Sequence, residues 1–121
     1  MYKKYNPNPC GKKVGDCVIR AISKILDQSW EKTFLDLTVY GLNMCDMPSS
    51  NSVWGRYLKD KGFTQRPLDF MTVEEFAKNN PDGDYILATG THVVAVMGGN
   101  YYDAWDSGHE LPIYFFYRKE K

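Results

Sequence analysis

Residues 92–107 read HVVAVMGGNYYDAWDS. Val93, Val94, Ala95 and Val96 form an unbroken apolar run. A short run of this kind, bounded by a turn signal, reads as a strand covered on both faces. Gly98 and Gly99 follow it, and paired glycines between two such segments mark a hairpin. His92 stands at the start of the outgoing strand, and Asp103 and Asp106 lie on the return.

The sequence around the hairpin has the same texture. Segments 85–89, 92–97, 100–104 and 112–118 are short, rich in Val, Ile, Tyr and Phe, and separated by Gly-containing turns. They predict an antiparallel sheet in the last third of the chain. Upstream the period changes. Asp16 is placed to cap a helix in which Val18, Ile19, Ala21, Ile22, Ile25 and Leu26 recur at helical spacing, with Arg20 and Lys24 on the other face. Ser29 caps a second helix carrying Trp30, Phe34, Leu35, Leu37 and Val39 and ending near Gly41. A polar loop over 43–52 leads to a third helix, opened by Asn51 or Ser52, carrying Val53, Trp54, Tyr57 and Leu58 and stopped by Gly62. Thr72 and Glu75 form a capping box before a short helix over 73–79. Helices first and strands afterwards predict an α+β fold, with N-terminal helices packed on a small C-terminal antiparallel sheet. Residues 1–15 read as an irregular leading segment.

The chain has 121 residues, 43% hydrophobic, 25% charged and 15% aromatic. That is the size of one domain spanning 1–121, with enough apolar area to offset the entropy of ordering. Fifteen basic residues balance fifteen acidic ones, which argues against a nucleic-acid partner, since phosphate backbones select a cationic excess. The N-terminus lacks the apolar stretch of a signal peptide, and no segment approaches the roughly 20 apolar residues that cross a bilayer. The reading is therefore a cytoplasmic protein with no membrane partner. Cys10, Cys17 and Cys45 match no zinc spacing, and three sparse cysteines do not make a disulfide framework.

Cys17 falls in the first turn of the first helix. Free amide hydrogens and the helix dipole favour negative charge there, and a thiolate is the reactive form of cysteine. A small buried residue is the plainer reading of a Cys in that place. His92 is the candidate base, with His109, in a loop-like stretch, as second choice; a hydrogen-bonded core histidine is the plainer reading of His92. Asp103 and Asp106 are candidates for the carboxylate that orients the imidazole. Side chains alternate across a sheet, so the turn length decides between them: a three-residue turn sets Asp106 opposite His92, and a two-residue turn puts Asp103 on the same face. Nucleophile, base and orienter together make a thiol-based acyl-transfer constellation.

GDCVIRAIS at 15–23 resembles the helix start around the nucleophile of papain-like cysteine peptidases, and residues 92–107 resemble their His strand and following hairpin. The chain is similar to the small bacterial and phage members of that superfamily, such as the peptidase domains that trim bacteriocin leaders. The resemblance implies a papain-like fold, a cysteine hydrolase acting on a peptide or protein substrate, and a Cys17–His92–Asp106 triad with Asp103 in reserve. It implies no metal and no organic cofactor. The family also carries a Gln six residues before the Cys as an oxyanion donor. Gly11 stands there in this chain, so the amide is expected from Asn8 or Asn6. A weaker local likeness to the ovarian-tumour-type deubiquitinases is confined to Gly15–Ala21.

Trp54, Tyr102 and Trp105, with Tyr57 and Tyr101, are candidates for lining a substrate cleft; core packing is the alternative. The 43–52 loop is a candidate cleft wall, and Lys3, Lys4, Lys12 and Lys13 form a small basic cluster. Two other functions fit the same residues: an acyl-transfer enzyme of the transglutaminase or cell-wall amidase type, and a catalytically silent interaction module. The sequence leaves the oligomeric state open.

Overall fold

The computed structural model describes residues 1–118 and is α+β. In chain order the elements are β1 (Tyr2–Lys4), α1 (Cys17–Leu26), α2 (Trp30–Met44), α3 (Asn51–Asp60), β2 (Thr64–Pro67), α4 (Val73–Asn79), β3 (Asp84–Ala88), β4 (Val93–Met97), β5 (Asn100–Asp103) and β6 (Tyr114–Arg118). The six strands form one sheet in the order β1-β5-β4-β3-β6-β2. All neighbours are antiparallel except β1 and β5, which run parallel. The sheet is thus mixed and larger than the four antiparallel segments the sequence marks. The two additional strands are its edges.

Strand alternation sorts the core into two layers. Ile86, Ala88, Val93, Ala95 and Phe116 face one side, where they pack with Ile22 and Ile25 of α1, Leu37 of α2 and Trp54, Tyr57 and Leu58 of α3. Leu87, Val94, Val96 and Tyr101 face the other, against Val73, Phe76 and Ala77 of α4. A strand buried on both faces carries apolar residues at successive positions, which accounts for the run in β4. The β4–β5 turn has two central residues, because Met97 pairs with Asn100. Gly98 and Gly99 have φ of +60° and +80°, the type I′ geometry that glycine adopts without a Cβ penalty.

The helix ends are built as local chemistry dictates. Thr72 and Glu75 form the reciprocal capping box at α4, and Ser29 accepts from the N–H of Lys32 at α2. Beyond α3, the Phe63 N–H reaches the Leu58 carbonyl and the Gly62 N–H that of Lys59, a Schellman closure. Asp16 departs from expectation. It precedes α1, but its side chain caps nothing, because both its oxygens are held elsewhere, as described below. Helix α2 also runs past Gly41 to Met44 and is closed by Cys45 in the left-handed region. Of its apolar residues, Leu37 is buried, while Phe34, Leu35, Val39 and Leu42 are largely exposed.

Gly41 is a packing residue. A Cβ there would meet the Asp46 carbonyl oxygen at 2.7 Å and the Pro48 nitrogen at 3.1 Å. The missing side chain lets the 46–50 loop fold back on α2 and sets the start of α3. Substituting Gly41→Ala raises intrinsic helix propensity by up to about 1 kcal/mol, yet backbone overlap costs about 1–3 kcal/mol. The overlap wins, and the variant is expected to unfold at lower urea than wild type; an equal or higher midpoint would contradict this packing.

Candidate active site

Two pieces of backbone meet at one end of the sheet. Cys17 is the first residue of α1, and His92 immediately precedes β4. Helix α1 packs along β4, with Val18, Ala21 and Ile22 set against Val93 and Ala95 in the same layer. His92 is fixed from its own backbone. Its N–H donates to the Thr89 hydroxyl at 3.0 Å, and its carbonyl accepts from the Thr89 N–H at 2.9 Å. The Cys17 thiol and the His92 imidazole share a side-chain hydrogen bond.

His92 Nε2 lies 2.7 Å from Asp103 Oδ2. With Nε2 engaged there, Nδ1 is the nitrogen that meets the thiol. Asp103 has almost no exposed surface, and four donors converge on it. Arg20 Nη2 donates to Oδ1 at 2.9 Å and the Ala104 N–H to Oδ1 at 2.8 Å. The Ser107 hydroxyl donates to Oδ2 at 2.6 Å, beside the imidazole. Arg20 in turn grips Asp16 Oδ1 at 2.6 Å, while Asp16 Oδ2 accepts from the Trp30 indole at 2.9 Å. A buried chain of alternating charge thus runs from Asp16 through Arg20 and Asp103 to His92.

This arrangement departs from expectation at several positions. Asp106, expected to orient the imidazole, does not reach it. Its Oδ1 accepts from the Tyr101 hydroxyl at 2.6 Å and the Gly108 N–H at 3.0 Å. The two-residue turn is the reason, since it shortens the hairpin and brings Asp103 to His92. Arg20, expected on the outer face of its helix, is buried. Asn8 and Asn6 do not line the cleft beside Cys17. Asn8 Oδ1 accepts from the N–H groups of Cys10 (2.9 Å) and Lys12 (3.3 Å), and Asn6 Nδ2 donates to the Lys12 carbonyl. Asx-type turns close segment 6–12 on itself. His109 is exposed, and its imidazole stands 3.9 Å from Glu110.

The aromatic candidates divide. Trp54 is wholly buried, stacked on Tyr114 and edge-on to Phe116. Tyr102 packs on the core layer beneath the Lys24 ammonium, 4.3 Å away. Tyr57 and Tyr101 are buried as well. Trp105 is half exposed and stacks on the His92 ring, with centroids 4.8 Å apart and planes at 27°.

The electrostatics follow from these contacts. Burial pushes the Cys17 thiol up, but the hydrogen bond from His92, the Val93 N–H and the charges of His92 and Arg20 outweigh it, so the thiol lies below its ordinary value. Burial disfavours the imidazolium, but hydrogen bonds with Asp103 and Cys17 carry His92 up to about 9. Burial likewise raises Asp103, and its bonds from His92 and Ser107 with the charge of Arg20 hold it low. Both shifts move the pair toward thiolate beside imidazolium.

A cleft of about 210 Å³ opens over the sulfur. It is lined by Gly15, Cys17 and Val18 around the start of α1, by Ser49 and Asn51 around the start of α3, and by Gly90, Thr91 and His92 before β4. The expected contribution of the 43–52 loop thus comes from its last residues and the start of α3.

Substituting Asp103→Asn removes the charge that supports the imidazolium. NMR titration of the His92 ring is expected to move from about 9 toward the ordinary 6.5, whereas Asp106→Asn leaves it in place. Because the folded value is raised, the pair contributes fully below about pH 6.5 and fades as pH rises through the folded value. The stability gap between wild type and His92→Ala is therefore expected to narrow above about pH 9. Equal titration in the two Asn variants would contradict the assignment.

No protein-family model, curated protein or solved structure matches the chain.

Proposed function

We propose that the protein is a papain-like cysteine hydrolase that cleaves an amide or isopeptide bond in a peptide or protein substrate through a thioester. The observation that supports this reading is the continuous relay of Cys17, His92 and Asp103, with the thiol below and the imidazole above their ordinary values. The order of nucleophile, base and carboxylate along the chain, on a helix start and then a hairpin, is similar to the papain-like arrangement.

Cys17 Sγ attacks the carbonyl carbon, and the carbonyl π pair moves onto oxygen. Backbone N–H groups of the first turn of α1 serve as donors for that oxygen, since no side-chain cap claims them. The tetrahedral intermediate collapses, the C–N bond breaks, and His92 passes its proton to the departing amine. Water then attacks the thioester carbon while His92 accepts its proton, and collapse breaks the C–S bond, releasing the carboxylic acid and leaving the Cys17 thiolate beside protonated His92. Asp103 holds Nε2 throughout, fixing the ring and stabilising its positive form. Ser107 and Arg20 hold Asp103.

Cys10 and Cys45 are exposed thiols, so the test uses the Cys10→Ser/Cys45→Ser protein. Alkylation of Cys17 by iodoacetamide is expected to stay fast well below pH 8.5, the ordinary thiol value. His92→Ala should move the midpoint of that profile upward. Cys17→Ala should abolish hydrolysis with little change in folding. A wild-type midpoint at or above about 8.5 would refute an activated nucleophile.

A further inference from the structure

A thioester-forming site needs donors aimed at the oxygen that becomes anionic, and one donor is worth on the order of 100-fold in rate. The start of α1, which lines the cleft, offers backbone N–H groups. Asn51 lines the same small cleft as Cys17 and His92. Its Oδ1 accepts from the Trp54 indole N–H at 3.0 Å. Trp54 is immobilised in the core, between Tyr114 and Phe116. The indole therefore fixes which way the amide faces, because an N–H can bond only to the oxygen. Among the described residues, no protein acceptor takes the Asn51 Nδ2 hydrogens. The result is an oriented donor with free hydrogens in the lining of the cleft, anchored by a fully buried ring.

We propose that Asn51 Nδ2 is the side-chain oxyanion donor, working across the cleft from the amides of α1. The assignment rests on the hydrolase reading above. It supplies from the 43–52 side what Asn8 and Asn6 do not supply from upstream. It also gives Trp54, a buried residue, an indirect part in the site as a positioning residue.

The probe is p-nitrophenyl acetate. Sγ adds to its carbonyl carbon, the carbonyl pair moves onto oxygen, and collapse expels p-nitrophenolate, leaving acetyl on Cys17 as a thioester. Iodoacetamide reacts with the same thiolate by displacement of iodide at a saturated carbon and forms no oxyanion. The ratio of the acylation to the alkylation rate constant therefore reports the oxyanion donors apart from thiol ionisation. It is measured in the Cys10→Ser/Cys45→Ser background, with the Cys17→Ala signal subtracted.

Two variants are compared. Asn51→Ala removes the whole amide. Asn51→Asp keeps an oxygen to accept from Trp54 and so preserves that anchor, but it has no donor when ionised. Both are expected to lower the ratio on the order of 100-fold while alkylation at its high-pH plateau stays within about twofold. An unchanged ratio in the folded Asn51→Asp protein overturns the assignment, and so does a parallel fall in both rates. A wild-type protein that is alkylated rapidly and never acylated overturns the hydrolase reading and this inference with it.

Discussion

The fold and the site share one constraint, the buried carboxylate of Asp103. An ionised carboxylate offers about four acceptor positions, and here four donors fill them: Arg20 from α1, the Ala104 amide, His92 before β4, and Ser107 from the following loop. The backbone carbonyl of the same residue accepts from the Tyr5 N–H at 2.8 Å and the Tyr2 hydroxyl at 3.2 Å. One residue thus ties the leading segment, the first helix and the end of the central hairpin together. Removing one partner of such a buried pair costs about 3–5 kcal/mol, although the intact pair adds little net stability over an apolar replacement. What the network provides is position: it fixes the distance from helix to strand on which the thiol–imidazole contact depends.

Much of this was legible. The apolar run at 93–96, the paired glycines, the capping box at Thr72 and the helix starting at Cys17 all describe local chemistry, and local chemistry is written in neighbouring residues. The edge strands were not legible. Lys3 and Lys4 in β1, and the wholly exposed Thr64–Pro67 of β2, bury too little to leave a period-2 signature; pairing with β5 and β6 alone makes them strands. Arg20 misled for a related reason. A charged residue counts as solvent-facing in any hydropathy pattern, and its burial requires an opposite charge from far along the chain. Half of the signal was present, since Asp16 sits four residues before it. The other half, Asp103, becomes visible only once the hairpin register is known.

That register also settles where the carboxylate comes from. The paired glycines are compatible with either turn length, and the resemblance to papain-like peptidases implied Asp106. With Met97 opposite Asn100, the regular ladder ends at Ala95 and Tyr102, and Asp103 sits just past it, where the strand ends separate. The carboxylate there meets three directions of approach at once. Asp106, three residues on, has already entered the turn that leads to Gly108, and it works to hold the Tyr101 hydroxyl. Gly108 makes room there as well, because a Cβ would overlap that hydroxyl. Two aspartates of similar appearance in the sequence therefore serve different packing tasks.

The energetics explain why the relay belongs at a seam rather than in the core. Raising an imidazole from 6.5 to about 9 corresponds to about 3 kcal/mol of added proton affinity, and burial works against that gain. Two unit charges 4 Å apart attract by about 1 kcal/mol in water and about 4 kcal/mol near a protein surface. In full solvent the attraction would be too weak to shift either group; deep in the interior, desolvation would neutralise both. His92, with 14% of its side chain exposed, lies between these limits. The Trp105 ring stacks on the imidazole and favours its cationic form. The sulfur keeps an open side toward the cleft while the carboxylate behind the imidazole keeps none. In the proposed hydrolase, that asymmetry would let a substrate reach Cys17 without water reaching Asp103.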